Sequence, residues 1–300
     1  MRIALATCST LPAWECDDAP LLAALRARVD VEQPVWDDPE VDWSSFDLVL
    51  IRTTWDYQSK REAFIDWAER TAACTQLLNP APIVRWNTDK TYLRELEAVG
   101  VPIAPTTWFE VGQPHALASI VQQRGLTRGF LKPVIAANAR GTFRFDARDP
   151  HELAAAQQHL LQLTATEPMM LQPYLASVER DGELSAIYFD GALSHAVRKI
   201  PVAGDYRTQD DWGARDEPIT LAPEAAALAE LALTGFAAIA RERGWPHELL
   251  YARVDMLRDD SGQLVLNELE LVEPSLFFRH GPHAAERLAT ALLARYRSRP

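Results

Sequence analysis

Cysteine, bilayer-length apolar runs and positive charge are all in short supply in this 300-residue chain. Cysteine occurs only at Cys8, Cys16 and Cys74. An odd number without metal or redox spacing excludes a disulfide framework and a thiolate metal site, and predicts reduced thiols in a cytoplasmic protein. No uninterrupted apolar run approaches the ~18 residues a membrane span needs. Met1–Ala6 enters a strand-like pattern directly, without the apolar core and cleavage site of a signal peptide. Neither a membrane nor export is therefore expected. The 30 basic residues are outnumbered by 42 acidic ones, a net charge of −12. That balance opposes binding to a phosphate backbone, so nucleic acid is excluded as an expected partner. An anionic nucleotide would need lysines and arginines placed locally. Repeats and low-complexity tracts are absent too.

What is present has globular composition: 48% hydrophobic and 24% charged residues. A chain of this length exceeds what one core usually organises, which predicts two or three lobes. Ile3–Ala6 and Leu48–Ile51 read as buried strands. The helix between them carries Leu21, Leu22, Leu25 and Val29 at helical spacing, with Asp17 or Asp18 available to cap it. Phe64 and Trp67 share a face of the next helix, and Leu77–Leu78 restart a strand. This βαβαβ alternation predicts a small parallel sheet of about 80 residues. Ligands of such sheets gather at the carboxyl ends of the strands, where Asp17 and Arg52 stand.

Pro80-Ala-Pro82 reads as a joint, followed by a helix capped by Thr88, lined by Leu93, Leu96 and Val99 and stopped by Gly100. Further helices are expected from Pro114 to Arg124 and from Asp149-Pro150 onward, with strands at Gly129–Lys132 and Met169–Gln172. Asp190-Gly191 suits a two-residue hairpin turn between Leu184–Phe189 and Ala192–Val197, a register that sets Glu183 opposite Arg198. Gly204–Glu217 is polar and aperiodic, contains Asp205, Arg207, Asp210, Asp211 and Arg215, and reads as a mobile lid. Long helices close the chain, from Pro223 to Gly244 and from Pro282 onward.

The most informative stretch is Tyr251–Glu270, two aliphatic runs flanking an Asp-Asp-Ser-Gly turn. With Asp259–Gly262 as the loop, Arg258 pairs with Gln263, Asp255 with Leu266 and Arg253 with Glu268. Alternation then puts Arg253, Asp255, Glu268 and Glu270 on one face and Val254, Met256, Val265 and Leu269 on the other. Three converging carboxylates need a positive partner, and a magnesium ion shared with phosphate oxygens meets that need. The bland alternative is a hairpin with one solvated, charged face.

In order and spacing these features resemble the ATP-grasp superfamily, particularly its glutathione-synthetase-like branch. Asn87-Thr-Asp-Lys90 and Phe130-Leu-Lys132-Pro133 resemble the two nucleotide-lysine motifs, and Gln172-Pro-Tyr-Leu175 the hinge that meets adenine. Gly182-Glu183 resembles the ribose contact, and Lys199-Ile-Pro201 with Gly204-Asp-Tyr-Arg207 a loop bringing arginine to the phosphates. Arg253-Val-Asp255 and Asn267-Glu268-Leu-Glu270 resemble the metal hairpin. Arg52-Thr-Thr-Trp55-Asp56-Tyr57, Trp86-Asn87-Thr-Asp-Lys90 and Ser194-His195-Ala196 resemble the bacterial group containing a cyclo-ligase that closes O-ureido-D-serine into D-cycloserine. The loop Val134–Thr142 departs from relatives in having only Gly141, with Arg140 as a possible added charge.

The resemblance implies an α/β (α+β) ATP-grasp fold. Residues 1–84 would be a Rossmann-like substrate lobe, 85–172 a middle lobe covering the nucleotide, and 173–300 a C-terminal lobe with the metal hairpin. It implies nucleotide contacts from Lys90, Lys132, Gln172, Tyr174, Leu175, Glu179 and Glu183. Magnesium, as two ions, would sit on Asp255, Glu268 and Glu270. Arg253 and Arg207 would be the catalytic cations, and Asp17 and Arg52 would meet the substrate. The implied activity is an ADP-forming carboxylate–amine ligase acting through an acyl phosphate on a small amino-acid-like molecule, with ring closure as one form and a homo-oligomer as one state. A non-catalytic nucleotide-binding scaffold and an adenylate-forming ligase are the alternatives. Residue by residue, Lys90 could be solvated on its helix, Glu183 a mere partner of Arg198, Arg207 a surface residue and His195 structural.

Overall fold

Apolar runs with no polar interruption form the first sheet. In the computed structural model, which describes residues 1–12, 17–113, 115–136, 139–209 and 212–297, β1 (Arg2–Thr7) and β3 (Leu48–Thr53) are buried along almost their whole length. Burial on both faces is what a parallel sheet demands. Between them come α1 (Ala19–Arg26) and β2 (Asp30–Glu32); after them, α2 (Arg61–Cys74) and β4 (Gln76–Leu78). All pairings are parallel, in the order β2-β1-β3-β4. The alternation predicted this sheet but missed β2, whose three residues are too few and too charged to read as a strand. Helix α1 ends before Val29, and Asp18 at its N-terminus gives it no side-chain cap, because that carboxylate is bound to Arg52. Trp36, Tyr57, Phe64 and Trp67 form an aromatic core, with Phe64 stacked on Trp67. Cys16, Pro114, Ala137-Asn138 and Asp210-Asp211 lie outside the described residues.

The expected joint at Pro80-Ala-Pro82 is instead the start of a helix, α3 (Ala81–Asn87), with proline in its first turn where no amide donor is missed. The helix expected from Thr88 begins later, as α4 (Tyr92–Ala98). The Thr88 hydroxyl bonds back to the Val84 carbonyl at 2.9 Å, closing α3, while Asp89 accepts the Thr91 amide at 2.9 Å and its hydroxyl at 2.7 Å. Lys90 therefore sits in a turn between two helices.

A second sheet follows from β5 (Thr107–Phe109), α5 (Leu117–Arg124), β6 (Arg128–Pro133), β7 (Phe143–Asp146), α6 (Pro150–Thr164) and β8 (Met169–Pro173). Its strands pair antiparallel in the order β5-β8-β6-β7. Asp149 caps α6 by accepting the amides of His151 and Glu152.

After α7 (Ser177–Asp181), the third sheet contains β9 (Glu183–Phe189), β10 (Ala192–Ile200), β11 (Arg215–Ile219), β12 (Tyr251–Arg258) and β13 (Leu264–Glu270). It is antiparallel, in the order β11-β10-β9-β12-β13. Strand β11 removes the last residues from the expected lid: Arg215 to Glu217 pair with β10. Helices α8 (Pro223–Glu242) and α9 (Ala284–Arg297) complete the chain. Helix α8 is long and apolar enough, by length and composition, to cross a bilayer. Its face of Leu228, Ala232, Phe236 and Ile239 is instead buried in the core shared with Val254, Met256 and Leu266.

Two registers differ from expectation, the first through one extra residue and the second through two. In β9–β10 the register shifts between Leu193 and His195, so Glu183 pairs with Lys199, and Arg198 forms its ion pair with Glu217 instead. In β12–β13 the turn closes through the Asp259 amide and the Gln263 carbonyl at 2.8 Å, one residue longer than expected. Met256 thus pairs with Leu266, and a further shift between Asp255 and Met256 sets Asp255 opposite Glu268 and Arg253 opposite Glu270. The two one-residue shifts cancel in facing. Arg253, Asp255, Glu268 and Glu270 still share a side, whereas Val265 changes sides to join Leu257, and Leu266 takes its place in the core.

Candidate active site

A cavity of about 270 Å³ opens between the second and third sheets, and the loop after β3 forms its end wall. Hydrogen bonds from asparagines position its floor. Asn79 donates to the carbonyls of Tyr251 and Leu271 at 3.0 and 2.8 Å, tying the first sheet to the β12–β13 hairpin. Asn87 donates to the Leu269 carbonyl at 2.8 Å and accepts the Leu271 amide at 2.7 Å. This explains the Asn-x-x-Lys spacing: Asn87 clamps the strand carrying Glu268 and Glu270, and the turn after it swings Lys90 toward them. Lys90 Nζ donates to the Ala136 carbonyl at 2.8 Å and stands 3.5 Å from Glu268. A solvated surface lysine is not what is observed.

Lys132, in β6, is buried with Nζ 3.9 Å from Glu268. Burial lowers its pKa, offset in part by Glu268 and reinforced by the like charge of Lys90. Two lysines from different elements thus flank one carboxylate on the hairpin. Asp255 accepts from Ser185 at 2.6 Å, Lys199 at 3.1 Å and the Arg253 fork. Burial raises its pKa, yet Arg253 and Lys199 outweigh that and hold it below the usual carboxylate range. Glu270, paired with Arg253, is nevertheless pushed up to about 8 by burial and by Asp255 and Glu268.

Lys199 was overlooked as a site residue in the sequence. Its Nζ lies 2.6 Å from Glu183 and 3.1 Å from Asp255, where the β10 bulge delivers it. Glu183 also accepts from the Thr208 hydroxyl at 2.8 Å and from the Asn267 amide. It is thus a buried member of this network rather than only a cross-strand partner. The one sequence signal for Lys199 was a second basic residue beside Arg198, just before Ile200-Pro201 at the end of the strand. Glu273 was also missed; nothing marked it except its place three residues beyond Glu270.

At the opposite end, Leu175, Val178, Leu257, Val265 and the Tyr174 ring form an apolar slot, with Phe130 and Tyr206 packed against it. Gln172, on the same wall, anchors its side chain on Thr106 at 2.9 Å. Tyr206, from the segment expected as a lid, bonds Thr142 at 2.8 Å and so joins that segment to the glycine-poor loop. Arg207 lines the cavity, paired with Asp205 at 2.6 Å and stacked on Trp212 with 3.5 Å to the ring centroid. Arg140 does not add a charge here: it braces its own loop through Glu167 and the Ile135 carbonyl at 2.7 Å.

The cavity brings together Lys90, Lys132, Gln172, Tyr174, Leu175, Glu183, Arg207, Arg253, Asp255, Glu268 and Glu270. Three expected site residues are not on its wall. Glu179 is held beside it by Arg144 at 3.0 Å and by the Tyr174 hydroxyl. Arg52, expected to meet a substrate, is 2% exposed, and its fork holds Asp18 at 2.7–2.8 Å and the Pro274 carbonyl at 3.0 Å. It fastens the first sheet to the segment after β13, because a guanidinium is tolerated at that depth only with such partners. Asp17 accepts from Arg279 at 3.0 Å and from the cavity-lining Ser275 at 3.0 Å, one side chain removed from the space itself. His195 donates from Nε2 to the Leu276 and Phe277 carbonyls, its Nδ1 bonds the Ser194 hydroxyl, and burial lowers its pKa, as a structural histidine requires.

Five carboxylates and five cationic side chains line the cavity, so their formal charges cancel. A triphosphate could not be neutralised by the side chains alone; cations would have to accompany it. Among the described residues no three metal-ligating side chains are grouped closely enough to hold an ion without help. The oxygen donors nevertheless suit magnesium, which takes one or two carboxylates and completes its shell with phosphate and water.

Comparison with known proteins follows the same lines. The profile of the N-terminal domain of D-cycloserine synthetase DcsG matches residues 3–79. Cycloserine biosynthesis protein DcsG of Streptomyces lavendulae is 33% identical over 311 residues, covering 98% of both chains. The crystal structure of D-cycloserine synthetase DcsG superposes with a TM-score of 0.87 at 30% identity, over 99% of this chain and 100% of that one. The ATP-grasp ligase PsnB, solved with a minimal precursor, Mg and ADP, has a TM-score of 0.62 at 17% identity over 98% of each chain, a likeness of fold.

Proposed function

The chain belongs to the family of D-cycloserine synthetase DcsG, ATP-grasp ligases that form C–N bonds as ATP becomes ADP, and on that premise we propose that it activates a small amino-acid-like carboxylate as an acyl phosphate and closes it into a ring. The observation that carries this reading is Glu268 between Lys90 and Lys132, on the same face as Asp255 and Arg253. Phosphoryl transfer leaves a protein little covalent work, so alignment and charge balance must do most of it.

Lys90 and Lys132 hold phosphate oxygens in this reading, and the slot around Tyr174 and Leu175 receives the base from the hinge strand that Gln172 also belongs to. Glu179, just outside the slot, and Glu183 orient it through Tyr174 and Lys199. Magnesium, two ions in this reading, neutralises the transferring phosphate when bound, and Asp255, Glu268 and Glu270 would hold it. Arg253, pinned by Asp255 and Glu270, presents a planar cation where an acyl phosphate and its tetrahedral successor gather charge. Arg207 approaches from the other side on its segment. The substrate occupies the end walled by Trp55, Tyr57, Ser275 and Phe277. Asp17 orients Ser275, and Arg52 fixes the backbone at Pro274. The lobe division at residues 84 and 172 belongs to the same proposal.

The test is incubation of the chain with ATP, magnesium and O-ureido-D-serine alongside a panel of amino acids and amines. Substrate-dependent ADP and phosphate with a cyclised product support the reading. Release of AMP would point to adenylate chemistry, and nucleotide binding without any turnover to a scaffold; either overturns it.

A further inference from the structure

Four of the five cavity carboxylates have cationic partners. Glu183 and Asp255 share Lys199, Asp255 and Glu270 share Arg253, and Glu268 faces Lys90 and Lys132. Glu273 differs: it forms no ion pair among the described residues, and the Tyr57 hydroxyl and its own backbone amide are the polar groups that act on its carboxyl at close range. Its backbone is fixed on both sides. Trp55 Nε1 donates to the Glu273 carbonyl at 3.1 Å, and Arg52 donates to the next carbonyl, Pro274, at 3.0 Å. The carboxyl thus projects from a rigid segment into the end of the cavity, between Trp55, Tyr57, Ser275 and Phe277. Every other acid there is committed to holding a cation in place. A held carboxylate without a cation, surrounded by aromatic walls, is an acceptor awaiting an N–H donor.

We propose that Glu273 accepts a hydrogen bond from the substrate's nucleophilic nitrogen and takes its proton as the C–N bond forms. The assignment rests on the acyl-phosphate reading above. The nitrogen lone pair attacks the acyl carbon, the bond from that carbon to the phosphate oxygen breaks, and phosphate leaves with the electron pair. The nitrogen's proton passes to Glu273 and from there to the departing phosphate. Burial pushes the Glu273 carboxyl up to about 7, against the lowering influence of Tyr57, Lys90 and Arg253, which suits it to take and return a proton near neutrality. Tyr57, Lys90 and Arg253 are the titratable or charged groups that act on it most strongly, and Tyr251 from β12 also feels its charge.

The substitution Glu273→Gln keeps the shape and removes the base. Wild type and E273Q are given MgATP and O-ureido-D-serine, with hydroxylamine to trap the acyl phosphate as a hydroxamate. E273Q is expected to form hydroxamate and ADP within about 3-fold of wild type, with ring closure slower by on the order of 10²-fold or more. The acidic limb of the ring-closing pH profile should disappear in E273Q and persist in Glu273→Asp. Ring closure by E273Q at the wild-type rate overturns the assignment. So does a parallel loss of hydroxamate and product, or a rise in KM alone, which would make Glu273 an anchor for the substrate's charge. A wild-type chain that releases no ADP with this substrate overturns the ligase reading and the assignment with it, and is recognised by its appearance in the unaltered protein.

Discussion

Replacing Lys199 with methionine removes the cation on which two buried carboxylates depend. Lys199 is 7% exposed, with Nζ 2.6 Å from Glu183 and 3.1 Å from Asp255. Burial works against its charge, but Asp255 and Glu183 outweigh it and raise its pKa, while Asp255 is depressed. Breaking a buried ion pair from one side costs about 3–5 kcal/mol, because an unpaired charge remains. Glu183 retains Thr208 and Asn267, and Asp255 retains Arg253 and Ser185, so the lower end applies, about 3 kcal/mol. At about 2–4 °C per kcal/mol for large domains, K199M should melt roughly 6–12 °C lower. The sign with pH follows from linkage. A raised lysine stabilises fully below its unfolded pKa and loses that contribution as pH rises through the folded value. A depressed aspartate stabilises above its unfolded pKa and loses that contribution as pH falls through the folded value. The wild-type pair is therefore intact from about pH 5 to pH 9. In K199M a proton on either carboxylate relieves the orphaned charge, so the deficit is full at pH 8 and shrinks toward pH 5. Urea unfolding followed by the fluorescence of the nine tryptophans measures this, and Glu183→Gln added to K199M should recover part of the loss. Equal stability of K199M and wild type at pH 8, or a deficit identical at both pH values, refutes the reasoning.

Other substitutions separate chemistry from support. Glu268→Gln should lower MgATP-dependent turnover by about 10²-fold or more, with an unchanged unfolding midpoint; full activity removes Glu268 from the mechanism. Arg52→Lys loses the fork to Asp18 and Pro274 and should destabilise the chain by about 2 kcal/mol while shifting the KM for the carboxylate substrate less than about 3-fold. A large KM rise at unchanged stability would restore Arg52 as a substrate ligand. Tyr206→Phe breaks the 2.8 Å bond to Thr142 and, at about 1 kcal/mol, should raise the KM for ATP roughly 5-fold with kcat unchanged. Titration of ATP dependence in the two proteins decides it.

Much of the fold could be read from pattern. Uninterrupted apolar runs at Ile3–Ala6 and Leu48–Ile51 announced the parallel first sheet, and Asp190-Gly191 announced the β9–β10 hairpin of the third, with φ of 51° and 78° at those residues. Gly182 illustrates what pattern alone does not convey. At φ 77° any Cβ there would come within 2.6 Å of the Lys199 carbonyl, so the glycine is needed for the approach of a strand far along the chain. The start of α4 was misread because Thr88 is an equally good candidate to open a helix or to close one, and only the Asp89 side chain, bonding Thr91, decides between them.

Residue types, order and spacing by themselves pointed to the superfamily and to ligase chemistry, and named candidate site residues, eleven of which line the cavity. Side-chain facing was decided only in the folded chain. A longer turn and a bulge in β13 cancel to keep Glu268 and Glu270 beside Asp255, while the bulge in β10 exchanges Arg198 for Lys199 opposite Glu183. Each bulge shifts alternation by one residue, and whether a strand takes one depends on packing against neighbours distant in sequence, which no local pattern records. The same holds for depth: Arg52 and Glu273 are ordinary charged residues in the sequence, and only the meeting of the first sheet with the segment after β13 buries one and leaves the other facing the cavity.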